Sequence, residues 1–440
     1  MASLLAASLL GVGTTRASAA NLYWDGGDGS WNVPTNWSTV AGATTPDPAG
    51  VPGSADIATF NVTGAVANET ITLDAARSVS GLVFASAGTV TLQSGAGSFG
   101  LTLGADGLVL NPSVGAGSLG MPGTLGVSQS WNGGAGSSLT VGGALDLGGG
   151  LLTLPGSGSL ALNGLVSGSG GLTKSGTGFL SLTAANTFAG TTSISGGLVS
   201  ISHGSALGTD ASAISVTGSF VRTFGGGSLR LAGTYGAGLT LTRPLSLAGN
   251  GPITNGGVAF VSVGPNTLSG LLSTGVGAVN TTLTSVMAPL ALTDLNVGGT
   301  ANTTFSSFGT IGSALANFTV GGVLSGTGTI QKFGAGTLIL APTDASGFSG
   351  TFRVTSGTIR VLSAATFGTN TGSTTSAPLD LNGGILEFRV DGSASTGKNV
   401  YYRNQSTLFL DHAPGSISLN GTHAFGNLSY EVTNSYVFNG

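Results

Sequence analysis

From Ile71 onward, apolar residues recur at every second position in short runs. Thr89-Val90-Thr91-Leu92, Leu101-Thr102-Leu103, Leu108-Val109-Leu110, Leu145-Asp146-Leu147, Leu152-Thr153-Leu154 and Leu160-Ala161-Leu162 all share the pattern. A period of two sends alternate side chains to a buried and an exposed face, so each run predicts a short strand. Gly-x-Gly, Ser-Gly and Asn-Gly clusters separate the runs and supply the positive φ of tight turns. No segment has the spacing of a long amphipathic helix. The predicted fold class is all-β.

Two segments of this pattern repeat each other. Residues 167–182 read SGSGGLTKSGTGFLSL and residues 325–340 read SGTGTIQKFGAGTLIL, aligning without a gap. Gly168, Gly170, Lys174, Gly176, Gly178, Leu180 and Leu182 fall on Gly326, Gly328, Lys332, Gly334, Gly336, Leu338 and Leu340. After a two-residue insertion, Phe188-Ala189-Gly190-Thr191 matches Phe348-Ser349-Gly350-Thr351. Ile194, Gly197, Val199 and Ile201 then match Val354, Gly357, Ile359 and Val361, and the units close at Gly208 and Gly368. Chance agreement in a Gly- and Ser-rich chain explains some glycines, but not two lysines and an apolar alternation in register. Internal similarity of this kind indicates stacked repeats.

The unit resembles the autotransporter-associated β-strand repeat, a pattern of spaced glycines with a lysine, a Leu-x-Leu pair and a downstream Asn-x-aromatic-x-Gly. The first copy carries it as Gly171, Leu172, Lys174, Gly176, Gly178, Leu180, Leu182, Asn186, Phe188, Gly190, Thr192, Ile194, Gly197 and Leu198. In the second copy Asp344 stands near the Asn position with a longer spacing to Phe348, so that turn is expected to differ. The resemblance implies a passenger-type β-solenoid exported to a bacterial surface, and it implies no activity, because the motif is a scaffold motif.

A Gly-rich solenoid, read as a right-handed parallel β-helix, is therefore expected over 61–440, with clear repeats at 167–208 and 325–368. Leu172, Leu180, Leu182, Phe188, Ile194 and Ile201 should point inward with Ile330, Leu338, Leu340, Phe348, Val354 and Val361. Coils of roughly 20–25 residues stacked about 4.8 Å apart would make a rod of about 80–100 Å. An array of immunoglobulin-type sandwiches is the alternative, but no domain of about 100 residues recurs.

Two segments precede the solenoid. Met1–Ala20 holds the short apolar run Leu4–Val12 and the small-x-small site Ala17-Ser18-Ala19, as in a signal peptide, although no Lys or Arg precedes the run. A buried N-terminal helix is the other reading. Residues 21–60 hold Tyr23, Trp24, Trp31 and Trp37, followed by PGSADIATF at Pro52–Phe60. This segment resembles the start of exported repeat proteins of planctomycete and verrucomicrobial type. Two roles are open to it. Large aromatics cover the apolar end of a first coil, or Trp24, Trp31 and Trp37 form a platform on which sugar rings stack.

Composition narrows the functions. Charged residues make up 6% of 440 residues, 80 are glycine and none is cysteine. With 40% hydrophobic residues the chain does not have a disordered composition. Its lysines and arginines form no cluster that could neutralise phosphates, which argues against nucleic-acid binding. His203, His412 and His423 show no metal-ligand spacing, and Gly148-Gly149-Gly150 lacks the aspartate of calcium-binding repeats. No nucleophile elbow or phosphate loop occurs. Lys174 and Lys332, isolated as they are, are expected on an outer face. No catalytic residue, metal or cofactor is assigned.

The 72 residues from Thr369 leave no room for a translocator barrel and carry no sorting tail, which reads as a truncated chain. The expected function is an exported, non-enzymatic structural or adhesion-type protein, secreted or on the surface of a Gram-negative-type bacterium, meeting surface glycans or other cells. The alternative is a carbohydrate-active β-helix lyase or glycosidase, or a glycan-binding protein, since stacked rungs could bring distant carboxylates together.

Overall fold

The computed structural model describes residues 20–25, 27–42, 50–61, 68–112, 115–211, 213–217, 226–232, 238–249, 260–275, 280–286, 288–298, 302–308, 317–367, 379–391, 394–395, 398–411 and 423–430. The signal-like segment, apart from Ala20, and His412 lie outside them.

The strands form a β-solenoid. One face is a ladder of seventeen strands, from Gly29–Ser30 at one end to Leu428–Tyr430 at the other. Each strand pairs in parallel with the next strand of the ladder. Beyond the first step, from Gly29 to Ile71, paired residues lie a coil apart, from nineteen residues (Leu180 to Val199) to thirty-one (Leu229 to Phe260). Coils are thus longer in places than the sequence pattern suggested. At one strand spacing per coil, the described ladder is about 75–80 Å long.

A second face runs from Gln129–Gly133 through Leu152–Leu154, Leu172–Lys174, Thr192–Ile194, Ile214–Thr217, Leu245–Ala248, Leu272–Thr274 and Leu295–Val297 to Leu324–Gly326. Between these two faces in chain order lies a third. It includes Gly123–Leu125, Leu145–Asp146 and Val166–Ser167 early in the chain. Later it is an eight-stranded ladder from Thr240–Leu241 to Thr407–Asp411. The long strands Arg77–Phe84 and Leu101–Leu110 bridge two faces, so that Leu101–Leu103 pairs with Gly123–Leu125 and Leu108–Leu110 with Trp131–Gly133.

Most second-face strands are three residues long and read in, out, in. Their middle residues stand in one register: Ser130, Thr153, Thr173, Ser193, Ser215, Ser246, Ser273, Asn296 and Ser325. Each is partly or fully exposed, and all but Ser325 stand between two buried neighbours.

Burial follows the alternation. Leu172, Leu180, Leu182, Phe188, Ile194 and Ile201 point inward, as do Ile330, Leu338, Leu340, Phe348, Val354 and Val361; all twelve are at most 3% exposed. A fully buried leucine or isoleucine contributes about 1.5–3 kcal/mol. Apolar stacking between coils is therefore the main force holding the rod.

The two repeats use the same unit one face apart. Leu172–Lys174 lies on the second face and Phe179–Leu182 on the first. Their counterparts lie on the first face (Thr329–Gly334) and the third (Thr337–Leu340). The unit therefore specifies strand–turn–strand geometry and leaves its position around the axis to the lengths of the intervening coils. Gly197 and Gly357, equivalent in the repeats, both have positive φ (65° and 70°). A Cβ there would sit 2.3 and 2.1 Å from the carbonyl oxygens of Gly178 and Gly334. The coil below leaves room only for glycine.

The lysines correct the expectation of an outer face. Lys174 is 3% exposed and Lys332 is 0% exposed. Both follow an inward apolar residue by two positions (Leu172 and Ile330), so strand parity turns them inward. The Lys332 Nζ donates to the carbonyls of Phe333 (2.8 Å) and Gly334 (2.7 Å). The Lys174 Nζ donates to the carbonyl of Gly176, which aligns with Gly334. Each ammonium thus satisfies carbonyls of the glycine turn that follows its strand. Burial pushes both lysines down from 10.5 to about 8.

Asn186 closes the first repeat's turn across three coils. Its Oδ1 accepts from the Val166 amide (2.8 Å) and its Nδ2 donates to the Ala206 carbonyl (2.6 Å). Asp344 differs, as the spacing suggested: it is exposed, and its Oδ1 accepts from the Ser346 amide instead.

Candidate functional site

The aromatic segment 21–60 is joined to the stack by its strands. Asn21–Trp24 pairs in parallel with Ile57–Phe60, which pairs with Arg77–Phe84. It also pairs antiparallel with Trp37–Ser38. Trp24, Trp31 and Trp37 are 1%, 0% and 0% exposed. Trp37 packs edge-on against Trp24 and Trp31, with ring centroids 5.1 and 4.8 Å apart, and Trp31 and Trp37 both reach Phe60. The Trp37 Nε1 donates to the Trp31 carbonyl (2.9 Å) and the Trp24 Nε1 to the Gly27 carbonyl (3.2 Å). A sugar platform needs ring faces open to solvent. These rings spend theirs on one another and on Phe60, which overturns Trp24, Trp31 and Trp37 as glycan contacts. Nearby, burial pushes the Glu69 carboxyl up; a Gly27 backbone hydrogen bond opposes this and the Asp28 carboxylate adds to it.

Charge collects at the other end of the described ladder. Of the six ion pairs among the described residues, five lie between Arg353 and Asp411. On the first face Asp380 sits between Arg353 (2.8 Å) and Arg403 (3.3 Å). On the third face Glu387 sits between Arg360 (2.5 Å) and Arg389 (3.3 Å), and Arg389 also reaches Asp411 (3.6 Å). Arg403 stacks over the Tyr401 ring at 4.4 Å and Arg389 over Phe409 at 5.6 Å. The partners are neighbours because successive rungs put Arg353 opposite Asp380 and Arg360 opposite Glu387. Sequence reading missed both ladders. Their only signal is a 27-residue separation that equals the local coil length.

Asp380 and Glu387 stand on different faces, each held between arginines. This geometry ties rungs together and does not form a groove in which two carboxyl groups flank a substrate. A further inward cation, Arg243, pairs with Asp210 (3.7 Å) and donates to the Leu207 carbonyl. His203 is exposed and its Nδ1 meets Ser205. Among the described residues no three His, Asp or Glu side chains gather as a metal site. No helix among them is long and apolar enough to cross a membrane.

The described rungs, stacked in parallel on three faces, define a stacked-repeat protein. Residues 172–201 and 330–361 match the passenger-associated-transport-repeat family. The chain is also 32% identical over 197 residues to the Adhesin BmaC autotransporter of Brucella suis biovar 1 (strain 1330). That similarity covers 44% of this chain and 5% of the adhesin. No solved structure matches. The chain thus carries two stretches similar to passenger-associated-transport repeats and is similar over part of its length to a small part of an autotransporter adhesin.

Proposed function

We propose that the chain is a rod-forming stretch of an exported, non-enzymatic, adhesion-type passenger, secreted or held at the surface of a Gram-negative-type bacterium. One observation carries this reading: both passenger repeats sit inside one continuous parallel ladder. They act there as rungs of a rod, with their hydrophobic residues consumed by stacking. The similarity to an adhesin and the signal-like Met1–Ala20 support the same reading. In it, 21–60 closes one end of the rod, 61–440 sets its length, and the outer faces meet glycans or other cells. Each coil contacts mainly its neighbours, so the rod can grow outside the cell by adding coils to those already folded.

The test is to fractionate cells that produce the protein, sequence its N-terminus, and compare the attachment of producing and non-producing cells. Protein in the envelope or medium lacking residues 1–19 or 1–20, with stronger attachment of producers, is the expected result. Recovery only in the cytoplasm with Met1 retained overturns export. Release of reducing ends from acidic glycans overturns the non-enzymatic reading.

A further inference from the structure

We infer that the second face is a docking track for an extended, uncharged polysaccharide, lying along the rod with about one sugar per rung. This rests on the adhesive reading and moves the glycan contact from the buried tryptophans to the solenoid wall. The outward column from Ser130 to Ser325 carries a hydroxyl on eight of its nine rungs and an amide, Asn296, on the other, the eighth. It carries no charge, whereas the ion pairs of the described rod concentrate on the other two faces near its far end. Strand pairing spaces the column's groups about 4.8 Å apart, close to the advance of one pyranose along an extended chain.

Each hydroxyl both donates and accepts, as sugar hydroxyls do. At the start of these strands Leu151, Leu271 and Val323 are 39–43% exposed, giving apolar contacts for the C–H faces of sugar rings. A single hydroxyl contact is weak, but a polymer engages many rungs at once, and linked contacts add avidity without any one being strong. Neutrality selects the partner: a carboxylated or sulfated chain finds no cation along this column.

The experiment is co-sedimentation of the full chain with microcrystalline cellulose, with soluble polygalacturonate as the acidic comparator. The Thr173→Glu/Ser246→Glu variant places two charges three rungs apart on the column. Thr140→Glu/Ser181→Glu places the same charge on the first face. Thr173→Val/Ser246→Ala removes the hydroxyls without adding charge, and tryptophan emission reports whether each variant folds. We expect sedimentation with cellulose, at least ten-fold weaker for both second-face variants and unchanged for the first-face variant. No sedimentation of the native chain, equal loss in the first-face variant, or preferential binding of polygalacturonate overturns the inference. Attachment of producing cells without cellulose binding would sink this track and leave the adhesive reading standing; loss of both would sink both.

Discussion

The buried lysines give the fold a pH dependence opposite to ordinary alkaline destabilisation. Lys174 and Lys332 are held at about 8 in the folded chain by burial, against 10.5 when solvated. Each charged form is thereby disfavoured in the fold by about 3 kcal/mol. The sign follows from linkage: between pH 8 and 10.5 the unfolded chain binds the proton that the folded chain has released, so stability rises with pH. The penalty is fully present below pH 8. By pH 10 most of it is relieved, about 2–3 kcal/mol per lysine. The perturbation is Lys174→Met/Lys332→Met, which keeps an apolar stem and removes both ammonium groups. The assay is urea unfolding followed by tryptophan fluorescence from pH 7 to 10. Burial also pushes Lys398 down, but it is present in both proteins and cancels in the difference. Tyr402, pushed up to about 12 by burial, acts with the opposite sign only above pH 10. The native chain should gain several kcal/mol over this range relative to the variant. Equal slopes for the two proteins, or a native midpoint that falls from pH 8 to 10, would refute the placement of the lysines inside the rod.

Three further outcomes follow from packing. Gly197→Ala should destabilise by about 1–3 kcal/mol from backbone conformation alone, with the 2.3 Å approach to Gly178 adding to it, whereas Gly321→Ala, with open space around its Cβ, should stay within about 0.5 kcal/mol in the same urea titration. Leu180→Ala should cost about 2–5 kcal/mol, and amide exchange should quicken in the flanking strands Ser159–Leu162 and Gly196–Ile201 while Thr351–Val354 keeps its protection. The four tryptophans are at most 3% exposed, so their emission should be blue-shifted and resist acrylamide until the chain unfolds.

Much of the rod was legible as alternation. Leu180 and Leu182, or Leu338 and Leu340, announce an inward face two residues at a time, and the shared glycines announce the turns. The same parity places Lys174 with Leu172 and Lys332 with Ile330; a lysine's charge favours the outer face, but the glycine turns supply carbonyls that satisfy an inward ammonium. The hydroxyl column is also written plainly, in the middle residue of Leu152-Thr153-Leu154, Leu172-Thr173-Lys174, Ile214-Ser215-Val216 and Leu245-Ser246-Leu247. Recognising it requires knowing that these triplets share a face. That information lies in coil lengths, which vary with insertions and leave no local trace. The Arg353–Asp380 and Arg360–Glu387 pairs were hidden for the same reason. The fate of Trp24, Trp31 and Trp37 turned on whether Phe60 folds back beneath them, a contact set by the parallel pairing of Asn21–Trp24 with Ile57–Phe60.

The central claim is that sequence separation converts to distance by counting rungs, and the absence of cysteine makes it directly measurable. Thr140 and Ser181 stand in one outward register of the first face with Phe333, eight and six rungs away respectively. Spin labels on Thr140→Cys/Phe333→Cys and Ser181→Cys/Phe333→Cys, measured by pulsed electron–electron double resonance, should give distances centred near 38 and 29 Å, one strand spacing per rung. Two narrow distributions separated by about 10 Å are what a continuous parallel ladder predicts. Equal distances, or broad distributions unrelated to rung number, would contradict it.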